Sequence, residues 1–244
     1  MCRMLGIVFR REFPMGTLID LKEVARTGKI PGEEALGHRD GWGIVSFRNG
    51  SPLYVGRSTR PMSLDDSYDS ARQDVQKLEA PNILIAHARA LSSGAATIPN
   101  THPFIVDGIV LCHNGTVKNI TFQTRHAVKG ETDTEKLLAR LADSVEDSGD
   151  LELSIKDLVS TDIRQSEYTA AIMFISDGKK LYAYRDFSLG RSPEYYDLKM
   201  FTSSDSIVFF QETRMGYDGD VSQVQNGELV TVDLDLKVKR EMLR

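Results

Sequence analysis

The sequence predicts a layered α+β protein built largely from antiparallel strands, and three observations favour this class. Short apolar runs outnumber amphipathic segments along the 244 residues. Several runs are joined by Asn-Gly or Asp-Gly pairs, which are typical of β-hairpins. The segments with helical spacing are grouped between the runs, and no glycine-rich phosphate loop is present, so a doubly wound parallel sheet is disfavoured.

The first third of the chain predicts a strand, a helix, a hairpin and a second helix, in that order. Continuous apolar runs indicate the strands, and apolar residues at three- and four-residue spacing indicate the helices. Asn49-Gly50 separates the two hairpin strands. The predicted ranges are 4–9 for the strand, 18–28 for the helix, 44–47 and 53–55 for the hairpin, and 64–79 for the exposed second helix.

The rest of the chain adds two strands, a helical region and a β-rich final third. Near-continuous apolar runs predict buried strands. Thr132 and Glu135 have the spacing of a capping box, which begins a helix, and Asp177-Gly178 predicts a hairpin turn. The predicted ranges are 82–87 and 108–112 for strands, 132–145 and 153–163 for helices, and 168–176, 181–184, 200–201, 207–210 and 229–232 for the last strands.

Composition narrows the class of protein. The hydrophobic share of 41% and the charged share of 27% are ordinary for a globular protein with a sizeable core. A net charge of −5 argues against a nucleic-acid groove or an anionic membrane surface as partner. No apolar run is long enough for a membrane span or a signal peptide, and two cysteines are too few for a disulfide framework. We therefore expect a single cytoplasmic domain over residues 1–244, with no linker or repeat.

Cys2 is the first candidate catalytic residue. Removal of Met1 would leave Cys2 with both a thiol and a free α-amine. The amine, whose ordinary pKa is about 8, can then accept the thiol proton and activate the sulfur for attack. The alternative is a buried, inert thiol, which is a common fate of cysteine.

Three further features follow predicted strands or begin a helix, where sites are usually built. Arg89 can hold a carboxylate through two parallel hydrogen bonds, or it can be an ordinary surface arginine. Asn114 and Gly115 offer a side-chain and a main-chain N–H to one oxygen, as an oxyanion hole requires, but Asn-Gly is also a common turn. Asp133 can bind an ammonium group, or it can simply complement the helix dipole.

Together these features match a family pattern in order along the chain. The matching pieces are Met1-Cys2-Arg3, Asp40-Gly41-Trp42-Gly43-Ile44, His87-Ala88-Arg89, Thr101-His102-Pro103-Phe104, His113-Asn114-Gly115 and Glu131-Thr132-Asp133-Thr134-Glu135. With these pieces the chain resembles the class II glutamine amidotransferase domain of the N-terminal-nucleophile hydrolases. The resemblance implies a four-layer αββα sandwich of two antiparallel sheets.

The resemblance also implies a role for each matching residue. Cys2 would attack the glutamine side-chain amide and form a γ-glutamyl thioester, with its α-amine as base. Asn114 and Gly115 would stabilise the oxyanion, Arg89 would bind the α-carboxylate, and Asp133 the α-ammonium. The remaining expected substrate-site residues are Ser92, where relatives carry a threonine, Trp42 and His113. No metal or cofactor is needed, and the histidines are expected to serve as structural hydrogen-bond partners.

Three functions remain open from the sequence. One is a glutaminase or amidotransferase that passes ammonia to a separate synthase chain, because residues 136–244 are just enough to complete the fold without an acceptor domain. Another is a free-standing hydrolase of a γ-glutamyl amide. The third is a non-catalytic regulatory module that retains the fold.

Overall fold

The computed structural model describes residues 2–32, 34, 36–92, 94–188, 190–214, 216–217 and 219–243; Met1 and Ser93 lie outside them. Thirteen strands and four α-helices are present in these ranges. The strands are β1 Arg3–Phe9, β2 Trp42–Arg48, β3 Ser51–Ser58, β4 Asn82–Ala88, β5 Phe104–Val106, β6 Ile109–Val117, β7 Tyr168–Ser176, β8 Lys180–Arg185, β9 Lys199–Thr202, β10 Ser206–Phe210, β11 Asp220–Gln223, β12 Glu228–Asp233 and β13 Val238–Met242. The helices are α1 Gly16–Thr27, α2 Asp66–Val75, α3 Asp133–Ser148 and α4 Leu151–Asp157, the last followed by a π-helical turn at Leu158–Ile163.

The strands form two sheets, and every described pairing is antiparallel. The seven-stranded sheet has the order β11-β9-β10-β1-β4-β2-β3, and the six-stranded sheet has the order β13-β12-β8-β7-β6-β5. β1 is central in its sheet, with β10 on one side and β4 on the other. The predicted α+β class with antiparallel sheets is confirmed.

Three apolar cores separate four layers. The central core lies between the sheets and includes Met4 of β1, Cys112 of β6 and Phe174 of β7. A second core joins the outer face of the seven-stranded sheet to α1 and α2, and a third joins the outer face of the six-stranded sheet to α3 and α4. Because successive side chains of a strand point to opposite faces, each buried strand contributes to two cores. The expected αββα sandwich is therefore present.

The helices begin and end close to their predicted positions. The Gly28 N–H bonds the Val24 carbonyl at 2.7 Å and ends α1. Thr132 Oγ1 accepts from the Glu135 N–H at 3.3 Å and caps α3, whereas the Glu135 carboxylate accepts from the Lys129 and Gly130 N–H groups instead of closing a capping box. α3, with 16 residues, is the longest described helix. No helix in the described ranges is long and apolar enough to cross a bilayer.

The strands that were not predicted are β5, β11 and β13, and all three lie at sheet edges. β5 has three residues, while β11 and β13 are mostly exposed. Edge strands need no buried face, so the apolar pattern that marks central strands is weak in them. The turn interpretation of Asn114-Gly115 is wrong, because both residues lie within β6 and pair with β7.

We predict that Phe174→Ala lowers the free energy of unfolding by about 3–5 kcal/mol, because its ring is fully buried between the sheets and the substitution leaves a cavity. Urea unfolding monitored by circular dichroism measures the loss. The matched control is Leu64→Ala, where the side chain is 70% exposed, and its expected effect is within about 0.5 kcal/mol. Equal effects of the two substitutions would contradict the assignment of Phe174 to the central core.

Candidate active site

The amino-terminal end of β1 places Cys2 against the other sheet. The Cys2 main-chain N–H donates to Asn114 Oδ1 at 2.9 Å, across 112 residues of sequence. The Cys2 thiol lies 3.7 Å from the Ala90 carbonyl oxygen, within reach of a weak S–H···O bond. Cys2 is 6% exposed, and Asn114 is fully buried. The candidate nucleophile and the candidate oxyanion donor are therefore adjacent.

Gln211 fixes the orientation of the Asn114 amide. Asn114 Nδ2 donates to Gln211 Oε1 at 3.2 Å, while Asn114 Oδ1 accepts from Cys2. An amide NH₂ group has two donors, so the second Nδ2 proton remains for a substrate oxygen. Gln211 directly follows β10, which neighbours β1. The sequence analysis missed this residue because no motif surrounds it.

Gly115 occupies a position that only glycine fits. Its φ is +148°, and a Cβ there would overlap the Ala170 carbonyl oxygen of the adjacent strand. The β6–β7 register shifts between Gly115 and Val117, which marks a bulge. β5 pairs with β6 only as far as Leu111. Beyond that point no described strand covers this edge of β6, which leaves main-chain groups near Asn114 accessible to a ligand.

Arg89 is held by the segment that precedes β2. Its main-chain N–H donates to the Gly41 carbonyl at 2.9 Å, and its carbonyl accepts from the Asp40 N–H at 3.0 Å. The Asp40 carboxylate accepts from the Leu91 N–H at 2.7 Å. Burial lowers the pKa of Arg89, and the nearby Cys2 and Asp40 partly offset that effect. Arg89 thus lies in the electrostatic neighbourhood of Cys2.

A hydrogen-bonded clasp connects the Arg89 loop to the start of α3. Arg89 Nη1 and Asn100 Nδ2 both donate to the Ala95 carbonyl, at 3.0 and 3.1 Å. Asn100 then accepts from the Glu131 N–H at 2.7 Å and donates to the Glu131 carboxylate at 3.2 Å. The loop that follows Arg89 and the segment that leads into α3 at Asp133 are therefore fixed relative to each other.

Asp133 is the first residue of α3, and its carboxylate is anchored by main-chain groups. Oδ2 accepts from the Val117 N–H at 2.7 Å, and Oδ1 accepts from the Thr134 N–H at 2.9 Å. The side chain remains 16% exposed. A carboxylate has about four acceptor positions, so Asp133 can still bind an ammonium group.

The Trp42 and His113 side chains both lie on the helix side of their sheets. The Trp42 indole packs edge-to-face on Tyr68 at 5.1 Å and donates to Asp65 Oδ2 at 3.0 Å, in the core beside α2. His113 Nε2 donates to the Ala170 carbonyl at 3.0 Å, and Nδ1 is hydrogen-bonded to the Thr134 hydroxyl at 3.2 Å. Strand alternation directs both side chains away from the space between the sheets. His113 Nδ1 nevertheless lies 3.8 Å from Asp133 Oδ2, so its expected role near the substrate stays a prediction, whereas Trp42 is fully buried beside α2.

Ser92 lies on the surface. Its side chain is exposed, immediately before Ser93, which is outside the described residues. The expected contact with substrate therefore remains a prediction.

Three buried histidines lie beside the site, and their expected role as structural hydrogen-bond partners stays a prediction. The His87 and His102 rings are 4.3 Å apart. Among the described residues, the ring nitrogens of His38, His87 and His102 have no hydrogen bond of normal geometry. Burial lowers the pKa of His38 and of His87 to about 3, and it lowers the pKa of His102 well below its usual value. All three are therefore neutral at physiological pH.

These histidines do not form a metal-ligand cluster within the described ranges. The group of side chains with ligand-like spacing is instead Asp107, His126 and Glu146, whose ligand atoms lie within 4.8 Å of one another. Asp107 and Glu146 are exposed, and His126 also contacts Asp143. This group is remote in sequence from Cys2 and contributes nothing to the site described above.

Solved structures share this fold along the whole chain. The structure titled as the allosteric regulatory enzyme of purine biosynthesis superposes with a TM-score of 0.66 and 19% identity, covering 100% of this chain and 49% of that one. A class-II glutamine aminotransferase domain protein from Silicibacter pomeroyi superposes with a TM-score of 0.59 and 16% identity, covering 98% of each chain. The architecture is that of the N-terminal-nucleophile hydrolases.

Sequence comparison shows the family. The model of the class-II glutamine amidotransferases matches residues 1–230, and this chain belongs to that family. A Haemophilus influenzae protein with a provisional glutamine amidotransferase name is 34% identical over 112 residues, which are 43% of this chain and 37% of that protein. The glutamine–fructose-6-phosphate aminotransferase of Bartonella henselae is 24% identical over 99% of this chain and 38% of its own length. The chain thus spans less than two-fifths of the length of these two relatives.

We predict that acid destabilises the protein through its buried histidines. His87 has a pKa of about 3 when folded, against an ordinary value near 6.5, so the unfolded chain binds more protons between these values. The free energy of unfolding should therefore fall as pH decreases from 6.5 towards 3, by up to about 1.4 kcal/mol per pH unit for each such histidine.

Urea unfolding between pH 7 and pH 4 measures this dependence. His87→Phe should make the decline shallower. The matched control Phe104→Leu alters packing against the neighbouring His102 ring without removing a titrating group, and its decline should match that of the unsubstituted protein. Parallel declines for all three proteins would contradict the prediction.

Proposed function

We propose that this protein hydrolyses the side-chain amide of glutamine, or of another γ-glutamyl amide, with Cys2 as the nucleophile. The single observation that supports this most strongly is the 2.9 Å hydrogen bond from the Cys2 nitrogen to Asn114 Oδ1. It joins the candidate base, which is the α-amine once Met1 is removed, to the candidate oxyanion donor. Membership of the class-II glutamine amidotransferases supports glutamine as substrate.

In the first half-reaction, the Cys2 thiol gives its proton to the α-amine and the sulfur attacks the amide carbon. The carbonyl oxygen becomes an oxyanion that accepts hydrogen bonds from the second Nδ2–H of Asn114 and from a main-chain N–H at Gly115. The α-ammonium group of Cys2 then returns the proton to the departing nitrogen of the substrate as the C–N bond breaks. Ammonia leaves, and a γ-glutamyl thioester remains on Cys2.

In the second half-reaction, water attacks the thioester carbon. The α-amine accepts the proton of the water, and the same two donors stabilise the second oxyanion. Breakage of the C–S bond returns the proton to sulfur, so glutamate and the original thiol are restored. No cofactor takes part in these steps.

The substrate is held through its two opposite charges. Arg89 binds the α-carboxylate through its guanidinium, Asp133 binds the α-ammonium, and the Ser92 hydroxyl assists at the carboxylate end. Fixed groups of opposite sign select a zwitterion over a simple amide. The clasp through Asn100 and Glu131 supports this proposal because it keeps the spacing between the two binding loops constant.

The ammonia either reaches solvent or passes to a separate synthase chain. We propose that residues 1–244 form one glutaminase domain. The nearly complete mutual coverage with the Silicibacter pomeroyi domain protein supports this arrangement. Co-purification with an ammonia-accepting enzyme would identify a partner chain.

We predict that Cys2→Ala abolishes the release of glutamate from glutamine, because no other group replaces the sulfur. Intact-mass measurement of the active protein should show that Met1 is absent. A coupled glutamate dehydrogenase assay measures turnover, and Cys112→Ala is the matched control, since the Cys112 thiol is buried between the sheets. Undiminished turnover in Cys2→Ala would overturn the proposed mechanism, and a folded, processed wild type without turnover would favour the regulatory module.

We predict that Asp133→Asn raises the KM for glutamine about tenfold or more with little change in kcat, because ammonium binding is similar in ground and transition states. Steady-state kinetics measure the two constants. Asp150→Asn is the control. Asp150 also accepts a main-chain N–H at a helix start, but it lies beyond the opposite end of α3, a helix about 24 Å long. An unchanged KM in Asp133→Asn would exclude Asp133 from substrate binding.

A further inference from the structure

A cavity of about 650 Å³ opens beside the start of β1. Its walls come from β1, the end of β10, the loop after α1 and the segment that precedes β9, and they include Arg3, Tyr195, Gln211, Glu212 and Arg214. The volume is within the range of small-molecule sites. It greatly exceeds what a departing ammonia molecule requires.

One direct hydrogen bond and one relay of two hydrogen bonds connect residues of the cavity wall to the proposed nucleophile. Gln211 accepts from Asn114, which itself accepts from Cys2. Arg3 Nη1 donates to the Cys2 carbonyl at 3.1 Å. The Arg3 guanidinium also lies 4.1 Å above the centre of the Tyr195 ring. Two residues of the cavity wall therefore lie within two hydrogen bonds of Cys2.

A buried donor in the cavity wall lacks a partner. Gln211 is 6% exposed, and its Nε2 makes no hydrogen bond within the described part of the chain. Because Oε1 already accepts from Asn114, the orientation of this amide is fixed, and Nε2 can only donate. The Tyr195 hydroxyl, also buried, has no hydrogen bond of normal geometry among the same residues. Leaving a buried donor unpaired destabilises the protein, so a ligand oxygen that accepts from Gln211 Nε2 would be bound favourably here.

The charged group formed by Arg3, Glu212 and Arg214 also favours a ligand oxygen. Glu212 accepts from Arg3 Nε at 2.8 Å and pairs with Arg214 Nη1 at 2.5 Å. One carboxylate is thus shared by two guanidinium groups, which leaves one positive charge at this end of the cavity, whereas the rim residues sum to one negative charge, so the lining as a whole is neutral. The exposed rim carries charges of both signs, on Lys29, Glu34 and Glu194.

We propose that this cavity binds the leaving-group part of a γ-glutamyl substrate, namely an amine of amino-acid or dipeptide size that carries a carbonyl or carboxylate oxygen. The inference rests on the proposed function, because it assigns the far side of the same scissile bond. Gln211 and Tyr195 donate to the ligand oxygen, and the net positive charge of the Arg3–Glu212–Arg214 group favours a carboxylate.

The reaction keeps the same balance of atoms with this substrate. The Cys2 sulfur forms the thioester while the γ-glutamyl C–N bond breaks. The leaving nitrogen takes the proton that the thiol gave to the α-amine, and the free amino acid or dipeptide departs through the cavity. Water then releases glutamate as in the glutamine reaction.

The test compares kcat/KM for γ-glutamylalanine, γ-glutamylalanylglycine and glutamine, using protein shown by mass to begin at Cys2. At least one of the larger substrates should exceed glutamine by about tenfold or more. Tyr195→Phe keeps the ring under Arg3 and should reduce this preference by about three- to tenfold. Arg214→Gln, at the partly exposed end of the charged group, should reduce it in the same direction.

The matched control is Tyr217→Phe, which removes another buried hydroxyl without a described partner, in a different core. Its substrate preference should equal that of the unsubstituted protein. Hydrolysis of glutamine with no gain for either larger substrate would overturn this inference and leave the proposed function intact. A preference for a larger substrate that Tyr195→Phe and Arg214→Gln both leave unchanged would also overturn the assignment to this cavity. Absence of glutamate from all three substrates would instead remove the proposed function itself.

Discussion

The hydrogen bond between the Cys2 nitrogen and the Asn114 side chain is the contact on which the candidate site depends. It connects β1 of one sheet to β6 of the other. Its donor is the main-chain N–H that directly precedes β1, and its acceptor is a side chain that projects from β6 into the space between the sheets. The central core, in which Met4 and Cys112 also meet, therefore holds together the two sheets that carry Cys2 and Asn114.

Strand alternation divides the neighbouring residues into two groups. Asn114 and Gln211 project between the sheets, whereas His113 and Trp42 project towards the helices and help to fix the layers. A family motif that spans consecutive strand residues thus places one side chain between the sheets and the next side chain against the helices. This explains why a motif predicted the location of the site better than it predicted the role of every member.

Much of this arrangement could be predicted from sequence. Apolar runs identified the central strands, and the order of six motifs indicated the fold and the meeting of Cys2 with Asn114. Edge strands were missed because they bury little surface. Gln211 was missed because it lies 97 residues from Asn114 and has no local pattern, and its role arises only when β10 pairs with β1. The interpretation of His87 and His102 as structural hydrogen-bond partners stays a prediction, because their ring nitrogens have no hydrogen bond of normal geometry among the described residues.

Gly43 of β2 packs closely against the segment that contains His102 and Pro103. A Cβ at this position of β2 would collide with the His102 carbonyl and press on Pro103. The segment that contains His102 continues from Asn100, which closes the clasp to Glu131. A single methyl group on β2 would therefore displace the segment that joins the Arg89 loop to the start of α3. The tolerance of this site to evolutionary drift is limited by backbone clearance as well as by the chemistry of its side chains.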